Sequence, residues 1–136
     1  MKDKYSRFGE IHRTYIEHYN ENRTEPGKLR PVMVVTTQEE QCKVIPITGT
    51  KSIFNHINGH ELKDWQEAGL SKPCFVNCHP KDGRTVSLQD MNYVGRLSLR
   101  DREHTFDKLD RVAHKVKAQK QQVKSHSHKN REYGRE

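Results

Sequence analysis

Apolar residues are scarce in this chain. Of its 136 residues 31% are hydrophobic and 7% aromatic, with a single Trp. That composition supports one small domain and leaves part of the chain outside its core. No apolar run approaches the roughly 18 residues that a membrane-spanning helix needs. The charged stretch from Met1 to Phe8 lacks the apolar segment of a signal peptide. A cytoplasmic protein with no membrane partner is the expectation. Cysteine is equally sparse. Cys42, Cys74 and Cys78 are an odd number without the look of a disulfide framework. They read as reduced thiols and, on strands, as small buried hydrophobes.

Positive charge is present, but in one place. Lys and Arg number 25 against 18 Asp and Glu, a net of +7. Residues 111–136 hold eight Lys/Arg and two Asp/Glu, which is +6 of that total. The remainder is close to neutral. A basic C-terminal segment suits nucleic acid or another acidic partner, and equally suits a solubilising tail.

The apolar residues that do occur are ordered. Gly9 to Ile16 is β-branched and aromatic and reads as a first strand, followed by a polar loop from Glu17 to Lys28. Pro31 to Thr37 is a continuous apolar run, expected of a strand buried on both faces, with Pro31 at its first position. Lys43 to Thr48 is a third strand, in which Pro46 argues for an edge or a bulge. Gly49 to Gly59 reads as irregular, with Asn58-Gly59 as a turn, and His60 to Gln66 as a short strand or helical turn. Cys74 to Cys78 and Arg84 to Leu88 are further strands, separated by a turn at Lys81-Asp82-Gly83. Met91 to Leu99 leads into a helix whose face carries Phe106, Leu109, Val112, Ala113 and Val116, with Thr105 as its N-cap. Beyond Val116 the pattern fades, and residues 124–136 have almost nothing to bury. The expected architecture is mainly β: a small antiparallel barrel or curled sheet with a C-terminal amphipathic helix. A domain over 1–116 precedes a basic, disordered tail over 117–136.

Zinc-ligand residue types occur in His56-x3-His60 and Cys74-x3-Cys78-His79. On a strand, however, Cys74 and Cys78 lie about 13 Å apart at ~3.3 Å per residue. Two sulfurs each ~2.3 Å from one zinc cannot be that distant. No metal site and no cofactor is expected.

The order Gly9-Glu10-Ile11, a polar loop, Arg30-Pro31-Val32-Met33-Val34-Val35, then Ile45-Pro46-Ile47-Thr48 resembles the MazF/PemK family of toxin endoribonucleases. Gly69-Leu70, Arg84-Thr85-Val86 and Val94-Gly95-Arg96-Leu97 look like the later blocks of that family, so the resemblance spans about residues 8–116. It implies an SH3-like barrel, usually a homodimer, held in check by a cognate antitoxin protein. It also implies metal-independent, sequence-specific cleavage of single-stranded RNA, to a 2′,3′-cyclic phosphate and a 5′-hydroxyl. The family's two principal catalytic positions fall on Arg30 and Thr48. Taken alone, Arg30 reads as a solvated loop arginine and Thr48 as a structural strand residue. Within the ordered set their chemistry fits. The substrate's 2′-OH is the nucleophile, so the protein needs only to stabilise the charged transition state and assist proton transfer. Arg30 offers a permanently charged fork for phosphate oxygens but is a poor base, and Thr48 offers a hydroxyl. Arg84, His12 and Lys28 are substrate-binding candidates, with His12 also a possible general base. Trp65 reads as a core or loop anchor. Two rival functions remain open. One is a non-catalytic nucleic-acid-binding module on the same barrel. The other is a CcdB-like toxin acting on a protein target. Such inhibitors use a Trp near the end of the C-terminal helix, and Trp65 is far from it.

Overall fold

A computed structural model describes residues 3–16 and 27–133, with side chains as far as 119. The polar loop expected over Glu17 to Lys28 falls almost wholly outside the described residues. Seven strands among them form an antiparallel sheet in the order β4-β5-β3-β2-β1-β7, with β6 paired to β3 beside β5. The strands are β1 (Glu10–Ile16), β2 (Lys28–Gln38), β3 (Gln41–Thr48), β4 (Gly59–Glu61), β5 (Phe75–Asn77), β6 (Arg84–Ser87) and β7 (Asn92–Arg96). Two α-helices, α1 (Ile53–Asn58) and α2 (Leu99–Tyr133), and two 3-10 turns, Pro80–Asp82 and Leu88–Asp90, complete the fold among the described residues.

The apolar run of β2 explains how so few hydrophobic residues suffice. Alternate side chains serve opposite faces. Met33 joins Ile11, Ile45, Ile47, Val76, Leu97 and Val112 in the core beneath α2, with Trp65, Leu109 and Val116 packed around it. Val32 and Val34 join Ile16, Cys42, Val44 and Met91 on the other face, closed by Val86 and Leu88. One extra residue in β2, Val35, interrupts its register with β3, and one in β7, Val94, interrupts its register with β1. Such bulges bend a strand and increase its twist, which lets a sheet curl around two cores.

Several sequence expectations are corrected. Pro31 is the fourth residue of β2, not the first. Pro46 lies neither at an edge nor at a bulge; it stands where β3 changes partner, between β6 pairing that ends at Val44 and β5 pairing that begins at Ile47. Asn58-Gly59 is a helix end, because α1 occupies part of the stretch read as irregular. Ser52 Oγ caps it by accepting from Asn55 N at 3.1 Å. Part of Met91 to Leu99 is β7 rather than a lead into the helix. Helix α2 begins at Leu99, and Ser98 rather than Thr105 caps it, its Oγ accepting from Asp101 N at 3.4 Å. Thr105 is fully buried within the helix.

The segment expected as a disordered tail is also different: α2 continues without interruption to Tyr133, 35 residues and about 52 Å at 1.5 Å per residue. No Gly or Pro occurs between Ser98 and Gly134, and Ala, Lys, Gln and Arg are good helix formers. Phe106, expected in the core, is 48% exposed and sets its ring against Tyr5 and Phe8.

Gly69 and Gly95, noted separately in the sequence, meet in space. Gly69 has φ +91° and lies under Val94, while a Cβ on Gly95 would collide with the carbonyl of Ala68. The close approach of β7 to this turn needs glycine on both sides.

Candidate active site

Strand register brings the two principal candidates into one row. Arg30 on β2 is the partner of Thr14 on β1. Between β2 and β3, Val32 faces Pro46 and Met33 faces Ile45. That pairing ends at Val32 and Pro46, and Arg30 and Thr48 each lie two residues beyond it. Their side chains share the face of Val32 and Val34, two and four residues on. Thr48 in turn is the partner of Phe75 on β5, so the row crosses the sheet.

The row differs in accessibility along its length. Thr14 is buried, and its Oγ1 donates to the Asp90 carbonyl at 2.9 Å. Arg30 is half-buried, with Nε and Nη2 excluded from solvent. Thr48 Oγ1 accepts from Thr50 N at 3.2 Å, which leaves its hydroxyl proton for another acceptor. Lys28, exposed and two residues before Arg30, projects from the same face. Sequence reading missed Lys72. A Cβ on Gly49 would stand 2.7 Å from Lys72 Cε and 3.1 Å from its Nζ, so this ammonium lies across the residue next to Thr48. Gly49 is the only signal for it, as a residue that permits a long side chain to cross.

Two other candidates stand differently. His12 is on the same face, opposite Val32, but only 4% exposed. Its Nε2 lies 2.9 Å from Glu10 Oε1, and its ring meets Tyr93 edge-on at 5.4 Å. The Glu10 carboxylate also accepts from Arg7. A carboxylate partner fixes the proton on Nε2. Nδ1 is solvent-excluded and has no hydrogen-bond partner among the described residues. As folded, the ring is sealed from a substrate. Arg84 shares the face but is the partner of Val44, four residues or about 13 Å along β3 from Thr48. It donates to the Gly83 carbonyl at 3.1 Å. The fold therefore places Arg30, Thr48, Lys28 and His12 on one face of the sheet, with His12 buried, and Arg84 apart from Thr48 along β3.

What the gathered groups can do is bind and stabilise an anion. A guanidinium fork, a hydroxyl and two ammoniums suit phosphate oxygens. Among the described residues no three His, Cys, Asp or Glu side chains cluster as metal ligands. Cys74 and Cys78 are free and buried, and burial pushes the Cys78 thiol up to about 12, so it stays protonated.

A second polar centre was not legible. Asp101, fully buried in the first turn of α2, accepts from His60 Nε2 at 2.9 Å, Lys63 N at 3.0 Å and Asp64 N at 2.8 Å. Burial alone would raise its pKa, but the His60 hydrogen bond and the two backbone N–H groups together hold it below the usual value. Asp64 beside it takes a bidentate pair from Arg100, 2.7 Å on each arm, and Ser98 Oγ at 2.5 Å. Those hydrogen bonds lower its carboxyl to about 2.

No protein-family model matches the sequence, and no curated protein matches it. Solved structures do. A chain of a MazE–MazF crystal structure from Deinococcus radiodurans superposes with a TM-score of 0.58 at 14% identity, covering 82% of this chain and 97% of that one. Its fold is that of the MazF toxins. Mycobacterium tuberculosis toxin MazF-mt6 gives 0.53 at 20% identity over 76% of this chain and 90% of its own. A mycobacterial endoribonuclease in complex with its cognate antitoxin gives 0.52 at 13% identity, covering 76% and 85%. The matched portions cover 85–97% of those chains, so the likeness in fold extends over nearly the whole of each neighbour.

Proposed function

We propose that this chain is an endoribonuclease toxin that cleaves single-stranded RNA at short sequences, acts as a homodimer in the cytoplasm and is neutralised by a cognate antitoxin. The ribose 2′-OH attacks the adjacent phosphorus, the bond to the 5′-oxygen of the next nucleotide breaks, and the products are a 2′,3′-cyclic phosphate and a 5′-hydroxyl. Arg30 stabilises the charge that develops on the phosphoryl oxygens. Thr48 hydrogen-bonds one of those oxygens or the attacking hydroxyl. Lys28 and Lys72 draw the strand in electrostatically, and the buried His12 supports the row from behind. The observation that supports this reading is that Arg30 and Thr48 each follow, by two residues on the same face, the last pair of the β2–β3 ladder, Val32 and Pro46. The MazF-like neighbours, one of them named an endoribonuclease, point the same way. Among the described residues no helix is long and apolar enough to cross a membrane.

The test is incubation of the purified protein with a long RNA and with DNA of the same sequence, in EDTA. The reading expects discrete RNA cuts that persist in the chelator and intact DNA, which lacks the 2′-OH. Cleavage that stops on chelation, or that proceeds equally on DNA, overturns it.

A further inference from the structure

A hollow of about 260 Å³ opens between β4, β5 and the middle of α2, away from the cleavage row's Arg30 end. His56, His60, His104, Lys108 and Arg111 line it, against one acid, Glu61. Its helical residues follow from spacing. His104, Lys108 and Arg111 recur at four and three residues and so share a face of α2, beside the buried stripe of Asp101, Thr105 and Val112. Among the described residues neither Lys108 nor Arg111 forms an ion pair, although the chain carries 18 acids. Asp101 lies behind His60, fully buried, and its two oxygens are occupied by His60 and the N–H groups of Lys63 and Asp64. Its negative charge therefore braces the wall instead of entering the hollow. The rings of His60 and His104 stand 5.5 Å apart on that wall.

We propose that this hollow is a second phosphate-binding site, in which Lys108 and Arg111 hold the anion beside His60 and His104. Two cations that form no ion pair among the described residues focus a positive potential in a concave site. The guanidinium of Arg111 suits bidentate capture of two phosphate oxygens, and the Lys108 ammonium adds a compact charge. The ligand is a phosphate group with its sugar, carried as a monoester on a free nucleotide or as a diester within an RNA strand. The second source is geometrically open. Glu61 on the hollow's edge pairs with Phe75, and Phe75 pairs with Thr48. Thr48 and Glu61 thus lie two strand spacings, or about 9–10 Å, apart. The site stands whether or not Arg30 and Thr48 cleave RNA.

The test follows the imidazole signals of His60 and His104 by NMR in the full chain, at fixed pH and matched ionic strength. Three probes are titrated: inorganic phosphate, adenosine 5′-monophosphate, and a 2′-O-methyl RNA decamer without terminal phosphates, which 2′-OH chemistry cannot cut. Saturable shifts of both rings are expected. Tighter binding of the monophosphate assigns a monoester ligand, and tighter binding of the decamer a diester. A Lys108→Ala/Arg111→Ala protein should bind the preferred probe at least tenfold more weakly with its circular dichroism unchanged. Should that variant lose helix, the exposed Arg111→Gln alone gives the same reading. Arg30→Ala should retain the shifts, which separates this hollow from the cleavage row. The absence of saturable shifts with all three probes overturns the proposal, as do shifts that survive unchanged without Lys108 and Arg111.

Discussion

Replacing Asp101 by Ala should destabilise the protein more than any surface substitution, and the structure gives the size. The carboxylate is fully buried and satisfies three donors: His60 Nε2, Lys63 N and Asp64 N. A buried donor left unmade costs about 1–3 kcal/mol. Lys63 is exposed and Asp64 half-exposed, so their amides can recover water, and the lower figure applies to each. His60, whose ring keeps some exposure, adds about 1 kcal/mol more, so the sum is about 3 kcal/mol, within the range of about 3–5 for breaking a buried charged pair. With a urea m-value of about 1–2 kcal/mol/M for a domain this size, the midpoint should fall by roughly 2 M. Asp101→Asn keeps one acceptor oxygen but turns an NH₂ toward N–H groups, and should fall about halfway between. The pH dependence has a definite sign. The folded-state pKa of Asp101 lies below its ordinary value of 3.8, so its contribution is present above that value and is lost as pH falls toward the folded pKa. The gap between wild type and Asp101→Ala should therefore narrow below about pH 4. Asp64 also titrates in acid, near 2, but does so in both proteins, so their difference isolates Asp101. Urea unfolding followed by circular dichroism, at one protein concentration, measures all of this. A midpoint within about 0.3 M of wild type would show that the Asp101 contacts do not hold α2 to the β4 loop.

The proposed catalytic pair can be tested by substitution. Arg30→Ala and Thr48→Ala should each slow RNA cleavage about 10²–10³-fold, the usual cost of one donor to a transition state, while thermal unfolding and circular dichroism show a folded protein. Arg30→Lys should recover only part of the rate, because an ammonium lacks the planar fork. Near-normal rates in both alanine variants would move the reaction elsewhere on the barrel. Val116 is the last residue of α2 packed against the core among the described residues, so a chain ending after it should stay folded and cut the same sequence. It should bind RNA more weakly at low salt, with a shallower slope of log K against log salt. An unchanged slope would make the extension a solubilising element.

Legibility in the sequence followed burial. β1, β2 and β3 were readable because their side chains serve the two cores, and the run Val32 to Val35 could only be a strand covered on both sides. Arg30 and Thr48 stand out in the sequence by their order along the chain, and that they share a face follows only once β2 and β3 are paired. β7 was not readable: none of its residues is fully buried and Tyr93 is 62% exposed, so no alternation marks it. Helix α1 exposes Ile53 and Ile57 and is held by local polar bonds, the Ser52 cap and Asn55 Nδ2 donating to the Thr50 carbonyl, which leave no apolar period. Thr105 looked like a cap because Thr often is one, but Ser98 took that place and Thr105 packed inward. Asp101 looked like one more charged helix residue. Its partners lie 37 to 41 positions away, and pairing at that separation leaves no local signature.

The central claim is that the substrate's own 2′-hydroxyl is the nucleophile, aided by Arg30 and Thr48. Its most direct test is a short RNA containing one mapped cleavage site, compared with the same strand carrying a single 2′-deoxyribose on the 5′ side of the scissile bond. The account predicts that the all-RNA strand yields a 5′-hydroxyl fragment and a 2′,3′-cyclic phosphate, and that the single deoxy substitution abolishes cutting there while leaving binding intact. Cleavage of the deoxy-substituted strand at the same bond and a comparable rate would contradict it.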